Sequence, residues 1–62
     1  MFLKLRELRK NKGINVKEIS KLLGLKTESA YFKKESGKIK FSLEEAKIIA
    51  DTLGKSIEDI FF

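Results

Sequence analysis

The chain has 62 residues, enough for one small domain spanning 1–62, and it contains neither Cys nor His, which excludes disulfides and thiolate or imidazole metal sites. Apolar runs are only a few residues long, so no membrane span or signal peptide is expected, and the absence of Cys fits the cytosol. The formal net charge of +5 is unevenly spread: residues 1–40 carry 12 Lys/Arg against 4 Asp/Glu (+8), and residues 41–62 carry 2 against 5 (−3).

Proline is absent, and apolar residues recur three and four apart rather than two apart, which reads as all-helical. Five helices are predicted. The first runs from about Phe2 to Asn11 with Leu5 and Leu8 inward, and Gly13 stops it. Asn15 is a good N-cap for the second, and Glu18 stands at capping-box spacing. Val16, Ile19, Leu22 and Leu23 form its inner stripe before Gly24 breaks it. Thr27 caps the third helix, which turns Ala30 and Tyr31 inward and ends near Glu35 ahead of Gly37. Ser42 caps the fourth, with Glu45 three residues on. Leu43, Ala46, Ile49, Ala50 and Leu53 make its inner face, and Gly54 ends it. Ser56 caps a short fifth helix, with Asp59 in the box position, and Ile57, Ile60 and Phe61 pack back on the core. No repeat, linker or low-complexity segment interrupts the series. The basic lobe points to a polyanion, although charge alone does not separate nucleic acid from a membrane surface.

The second and third helices, with the short turn between them, have the form of a helix-turn-helix, a motif that lays its second helix in the DNA major groove. The flanking words are Leu5-Arg6-Glu7-Leu8-Arg9, Gly13-Ile14-Asn15, and Lys17-Glu18-Ile19-Ser20-Lys21-Leu22-Leu23-Gly24-Leu25. They continue as Lys34-Glu35-Ser36-Gly37-Lys38, Ser42-Leu43-Glu44-Glu45-Ala46, and Leu53-Gly54-Lys55-Ser56-Ile57-Glu58-Asp59-Ile60-Phe61. From Leu5 to Phe61 the chain resembles the Cro/cI-type (XRE, lambda-repressor-like) helix-turn-helix domains, and its close resembles the short phage-encoded members.

That resemblance implies a compact five-helix DNA-binding fold. It also implies a sequence-specific transcriptional regulator, a Cro-like or phage-type repressor in the nucleoid or a phage-infected host cell. Such a protein binds double-stranded DNA as a homodimer, on palindromic half-sites about 34 Å apart. No cofactor, small-molecule ligand, metal or membrane is implied. Two features depart from the family pattern. Members usually carry Gln after the position of Asn15, where this chain has Val16. The spacing from Gly24 to Gly37 is one residue longer than usual. With Thr27 as cap, the extra residue lies in the turn near Lys26. If it lies inside the third helix, Ala30 rather than Tyr31 takes the buried position.

With Tyr31 inward, Glu28, Ser29, Phe32 and Lys33 face outward and match the family's base-reading surface. Lys33 suits guanine O6 and N7, Ser29 several base edges, and Glu28 the cytosine amino group. Phe32 either presses on a thymine methyl or packs on protein. Lys38 and Lys40 follow the third helix where family members contact phosphates. Asn15 and Lys17 open the second helix, and Lys26, Thr27 and Lys34 extend the phosphate set. The plain alternative for each lysine is a solvated charge. Arg9 and Glu35 stand where the family has an ion pair between the first and third helices, so Arg9 is left out of the DNA set. Ile57, Ile60, Phe61 and Phe62 are too many large apolar residues for one short helix to bury, which marks them as dimer candidates.

Other classes are weighed on the same residues. An antitoxin-like protein would add a protein partner to this fold. A pure interaction module is favoured by Val16 and Phe32 and disfavoured by Lys38 and Lys40. A membrane-surface helix at Phe2–Lys10 competes with a plain first helix that keeps Leu5 and Leu8 inside. An enzyme is not expected: there is no nucleophile–base pair, no ligand cluster, and no expected room for a pocket of about 300 Å³.

Overall fold

The computed structural model describes residues 1–62 and consists of α1 (Leu3–Asn11), α2 (Val16–Leu22), α3 (Glu28–Glu35), α4 (Leu43–Leu53) and α5 (Ile57–Phe61), with no strands. Helices α2 to α5 each start on a polar side chain that satisfies an otherwise orphaned amide. Asn15 Oδ1 accepts from the Glu18 N–H at 2.8 Å, and Glu18 Oε1 accepts in return from the Asn15 N–H at 3.5 Å. Ser42 and Glu45 repeat this reciprocal box at 3.1 and 2.8 Å. Thr27 Oγ1 accepts from the Ala30 N–H, and Ser56 Oγ from the Asp59 N–H, each at 3.1 Å. Helix α1 has no side-chain cap. It starts at Phe2, whose N–H donates to the Glu35 carbonyl at 2.9 Å and so pins the start of α1 to the end of α3.

The centre is filled by Leu5, Ile19, Tyr31 and Ile49, one each from α1 to α4 and all fully buried, with Ile60 of α5, Val16, Ala50 and Leu53 around them. A second layer is aromatic. The rings of Phe2, Phe41 and Phe61 meet pairwise with centroids 5.2 to 5.7 Å apart, in tilted and edge-on arrangements. Phe41 also reaches Tyr31 at 6.3 Å, which joins this cluster to the core.

Two expected core residues are at the surface. Leu22 is 51% exposed, because Val16, Ile19, Ser20 and Leu23 already make the i, i+3, i+4, i+7 face, and Leu22 lies roughly a third of a turn away from it. Ser20 takes an inner position instead and is buried. Leu43, the first residue of α4, is 67% exposed. Ala30 is half-buried, whereas Tyr31 is fully enclosed. Thr27 caps α3, which starts at Glu28, and Tyr31 takes the buried position.

Candidate nucleic-acid interface

The α2–α3 turn is fixed by its own backbone. The Gly24 N–H donates to the Lys21 carbonyl at 3.0 Å, and the Leu25 N–H to the Ser20 carbonyl at 2.9 Å. Gly24 has φ +72°, a left-handed conformation that glycine adopts without a Cβ penalty. The chain then reverses, Thr27 starts α3, and Tyr31 sets the rotation of that helix by entering the core. Glu28, Ser29, Phe32 and Lys33 are left exposed along one outward face, with Phe32 52% exposed.

The inner side of α3 is held by charge. Arg9 Nη2 lies 3.4 Å from both carboxylate oxygens of Glu35, and Nη1 donates to the Ile14 carbonyl at 3.1 Å. Both charged side chains are buried, so Arg9 is turned into the protein, away from the exposed face of α3. The Arg9 guanidinium also stands 5.8 Å from the centroid of the Tyr31 ring. Burial pushes the Tyr31 phenol far above its ordinary range. Glu35 adds to that shift and Arg9 opposes it, so the hydroxyl stays neutral at physiological pH.

Asn15, Lys17, Lys26, Thr27, Lys38 and Lys40 are all exposed, and none of the lysines among them forms an ion pair in the chain. Asn15 commits its Oδ1 and its backbone N–H to the capping box, which leaves its side-chain NH₂ to donate outward. Thr27 Oγ1 accepts from Ala30 and keeps its own O–H. Lys17, Lys26, Thr27 and Glu28 line a cleft of about 270 Å³ between α2 and the start of α3, together with Lys21, which the sequence reading missed. The available signal was its i+4 spacing from Lys17, which stacks the two on one side of α2.

Lys34 corrects an expectation. Expected among the phosphate lysines, it is instead half-buried and turned toward α4. Its Nζ donates to Glu45 Oε1 at 2.9 Å and to the Lys40 carbonyl at 3.2 Å.

The C-terminal apolar residues divide. Ile60 is buried in the core, so it is not a surface residue: position four of a five-residue helix faces the bundle. Ile57 and Phe61 are half-buried, and Phe62 is 94% exposed. Ile57, Phe61 and Phe62, with Phe2, Phe41 and Leu43, line an open groove of about 430 Å³. The expectation of no such space fails, because aromatic residues distant in sequence assemble it. Its polar lining is limited to Lys40 and Ser42, with no carboxylate or thiol.

No group of three or more acidic side chains is arranged to hold a metal ion, and no helix is long and apolar enough to cross a membrane. Residues 5–60 match a family model described as helix-turn-helix. No curated protein and no solved structure matches the chain.

Proposed function

The chain belongs to the Cro/cI-type helix-turn-helix family of DNA-binding regulators, and we propose that it is a small repressor-like regulator that reads a palindromic operator through α3. The observation that carries this reading is the outward face of α3. Glu28, Ser29, Phe32 and Lys33 are exposed together, and unpaired Lys26 precedes the helix while Lys38 and Lys40 follow it. Side chains on one face of a helix this size can reach base edges, and flanking cations fix its register on the backbone. Lys17, Lys26, Lys38 and Lys40 on phosphates would give a salt slope of about −3.6 per protomer.

The protein is read as a homodimer on DNA, joined at its apolar end through Phe61, Phe62, Ile57 and Leu43. It acts as a binding protein rather than an enzyme, and repression follows from occupancy of a promoter. A second reading, an antitoxin-like or protein-interaction module, is supported by the exposed Phe32 ring in the middle of the α3 face. The two differ in salt response, since an interface built on Phe32 and Phe62 is nearly insensitive to salt.

Selection of bound sequences from random duplex DNA at two salt concentrations tests the reading, with a palindromic winner expected. On that operator, Lys33→Ala should lose about 1–3 kcal/mol and relax preference at one or two base pairs. Lys38→Ala should weaken all duplexes about equally and flatten the salt slope by about one. If both variants bind like the wild type, this docking is wrong.

A further inference from the structure

Lys34 is the one lysine of the stretch from α3 to α4 that is turned inward, and its contacts close a ring. Nζ donates to Glu45 Oε1 at 2.9 Å and to the Lys40 carbonyl at 3.2 Å, and the same Glu45 oxygen accepts from the Ser42 N–H at 2.8 Å. Both side chains are 14% exposed, and the Lys34 ammonium lies 5.9 Å from the centroid of the Phe41 ring. The backbone around them has few other ties. The Lys38 and Ile39 N–H groups both donate to the Lys33 carbonyl at 2.9 and 3.1 Å. From there to Ser42 no backbone-to-backbone hydrogen bond holds the chain, and the Lys40 carbonyl is held by Lys34 alone.

We propose that Lys34 and Glu45 form a clamp that presets the loop carrying Lys38 and Lys40, so that Lys34 is a positioning residue rather than a phosphate ligand. The inference rests on the reading of Lys38 and Lys40 as phosphate contacts. A loop ordered before binding loses less conformational entropy on the DNA, so its cations act at full effect. Without the clamp the same phosphates are contacted in the complex, but the loop must be ordered at that moment.

Glu45 makes the test sharp because two mechanisms predict opposite signs. Glu45→Gln removes a negative charge and takes the chain from +5 to +6, which long-range attraction alone turns into tighter DNA binding. The clamp predicts looser binding, by about five- to tenfold. The amide oxygen of Gln still accepts from the Ser42 N–H, so the start of α4 is kept, and it faces Lys34 only as a neutral acceptor, so the clamp loses its charge-assisted bond and is weakened. Lys34→Met retains the apolar stem beside Phe41 and removes only the ammonium. It should lower affinity by a similar factor with an unchanged salt slope, whereas a lysine on a phosphate lowers the slope by about one. The double variant should be no weaker than the worse single one, and Lys34→Arg should bind like the wild type. Nitrogen-15 relaxation without DNA should show faster motion at Lys40 and Phe41 in both single variants, with α4 unchanged. Tighter or unchanged binding by Glu45→Gln, a slope reduced by one in Lys34→Met, or unchanged loop motion in both overturns the clamp. Wild-type protein that shows no salt-dependent DNA binding overturns the function, while loop motion in the free protein still decides the clamp.

Discussion

Arg9 reaches from α1 to two other parts of the fold, with Nη1 on the Ile14 carbonyl at 3.1 Å and Nη2 at 3.4 Å from each oxygen of Glu35. Both side chains are almost fully removed from water. Such a pair adds little net stability over an apolar replacement, but deleting one member strands a buried charge. Arg9→Met should therefore destabilise by about 3–5 kcal/mol. Against a total stability of about 5–15 kcal/mol for ordinary domains, that leaves little for a chain of this size. Arg9→Met/Glu35→Leu should recover most of the loss. Urea unfolding of both variants checks this, and a single variant costing under about 1 kcal/mol would remove the buried pair from the account. No local pattern announces two residues 26 positions apart, so only family resemblance brought this pair forward. Lys34 shows the same limit. Its type says cation, but whether it faces a phosphate or a carboxylate depends on where α4 lies.

At the scale of elements, much was legible, because capping is local physics. A hydroxyl or amide oxygen three residues ahead of an amide either reaches it or does not, and Asn15, Thr27, Ser42 and Ser56 all do. The turn before α3 was equally open to reading: Thr27 as cap fixes where Tyr31 points. The failures lie where periodicity meets tertiary context. Leu22 and Leu43 are apolar, but Leu22 lies off the inner face of α2 and Leu43 stands at the open start of α4, so both are largely exposed. The Phe2, Phe41 and Phe61 cluster joins two residues ahead of helix starts to one in α5, outside any helical stripe.

Two turns give comparable tests at this scale. Gly24→Ala meets open space and suffers only from φ +72°, which should cost about 1–2 kcal/mol. Gly37→Ala combines φ +90° with a new Cβ 3.2 Å from the backbone nitrogen of Met1, so it should cost more in the same unfolding experiment. Glu45 gives a pH test of the α3–α4 junction. Partial burial pushes its carboxyl up, but the Ser42 amide and Lys34 outweigh burial and hold it below its ordinary 4.5. A carboxyl lowered in the folded state binds fewer protons there than when unfolded. Its contribution is therefore complete above pH 4.5 and is lost as pH falls through the lower folded value. The wild-type melting temperature should fall more than that of Glu45→Gln over that acid range, and equal falls would count against the coupling.

For the whole molecule, the basic excess and most of the apolar groove are carried by different parts of the chain. The basic excess of +8 lies in residues 1–40, which carry α3 and its lysines, and residues 41–62 are acidic by −3 and carry Phe62 and most of the groove. On the dimeric reading proposed above, the first part would face DNA and the groove would face a second copy of the chain. A twofold interface is self-complementary, so one patch must offer both a protrusion and a hollow. Phe62, 94% exposed, stands on the rim of the groove formed by Phe2, Phe41, Leu43 and Phe61, and supplies both. Each protomer's Phe62 seated in its partner's groove would bury the most exposed large apolar residue of the chain twice over. Two linked readers then bind a palindrome far more tightly than one binds a half-site, by about 10²- to 10⁴-fold. Phe62→Ser tests this without changing net charge. Because the side chain is so exposed, monomer stability should shift by less than about 0.5 kcal/mol. Affinity for an isolated half-site should stay within twofold of the wild type. Affinity for the palindrome should fall at least tenfold, and the concentration dependence of the wild-type melting temperature should disappear. Unchanged palindrome binding would place the dimer contact elsewhere, while equal losses on half-site and palindrome would move Phe62 into the DNA interface.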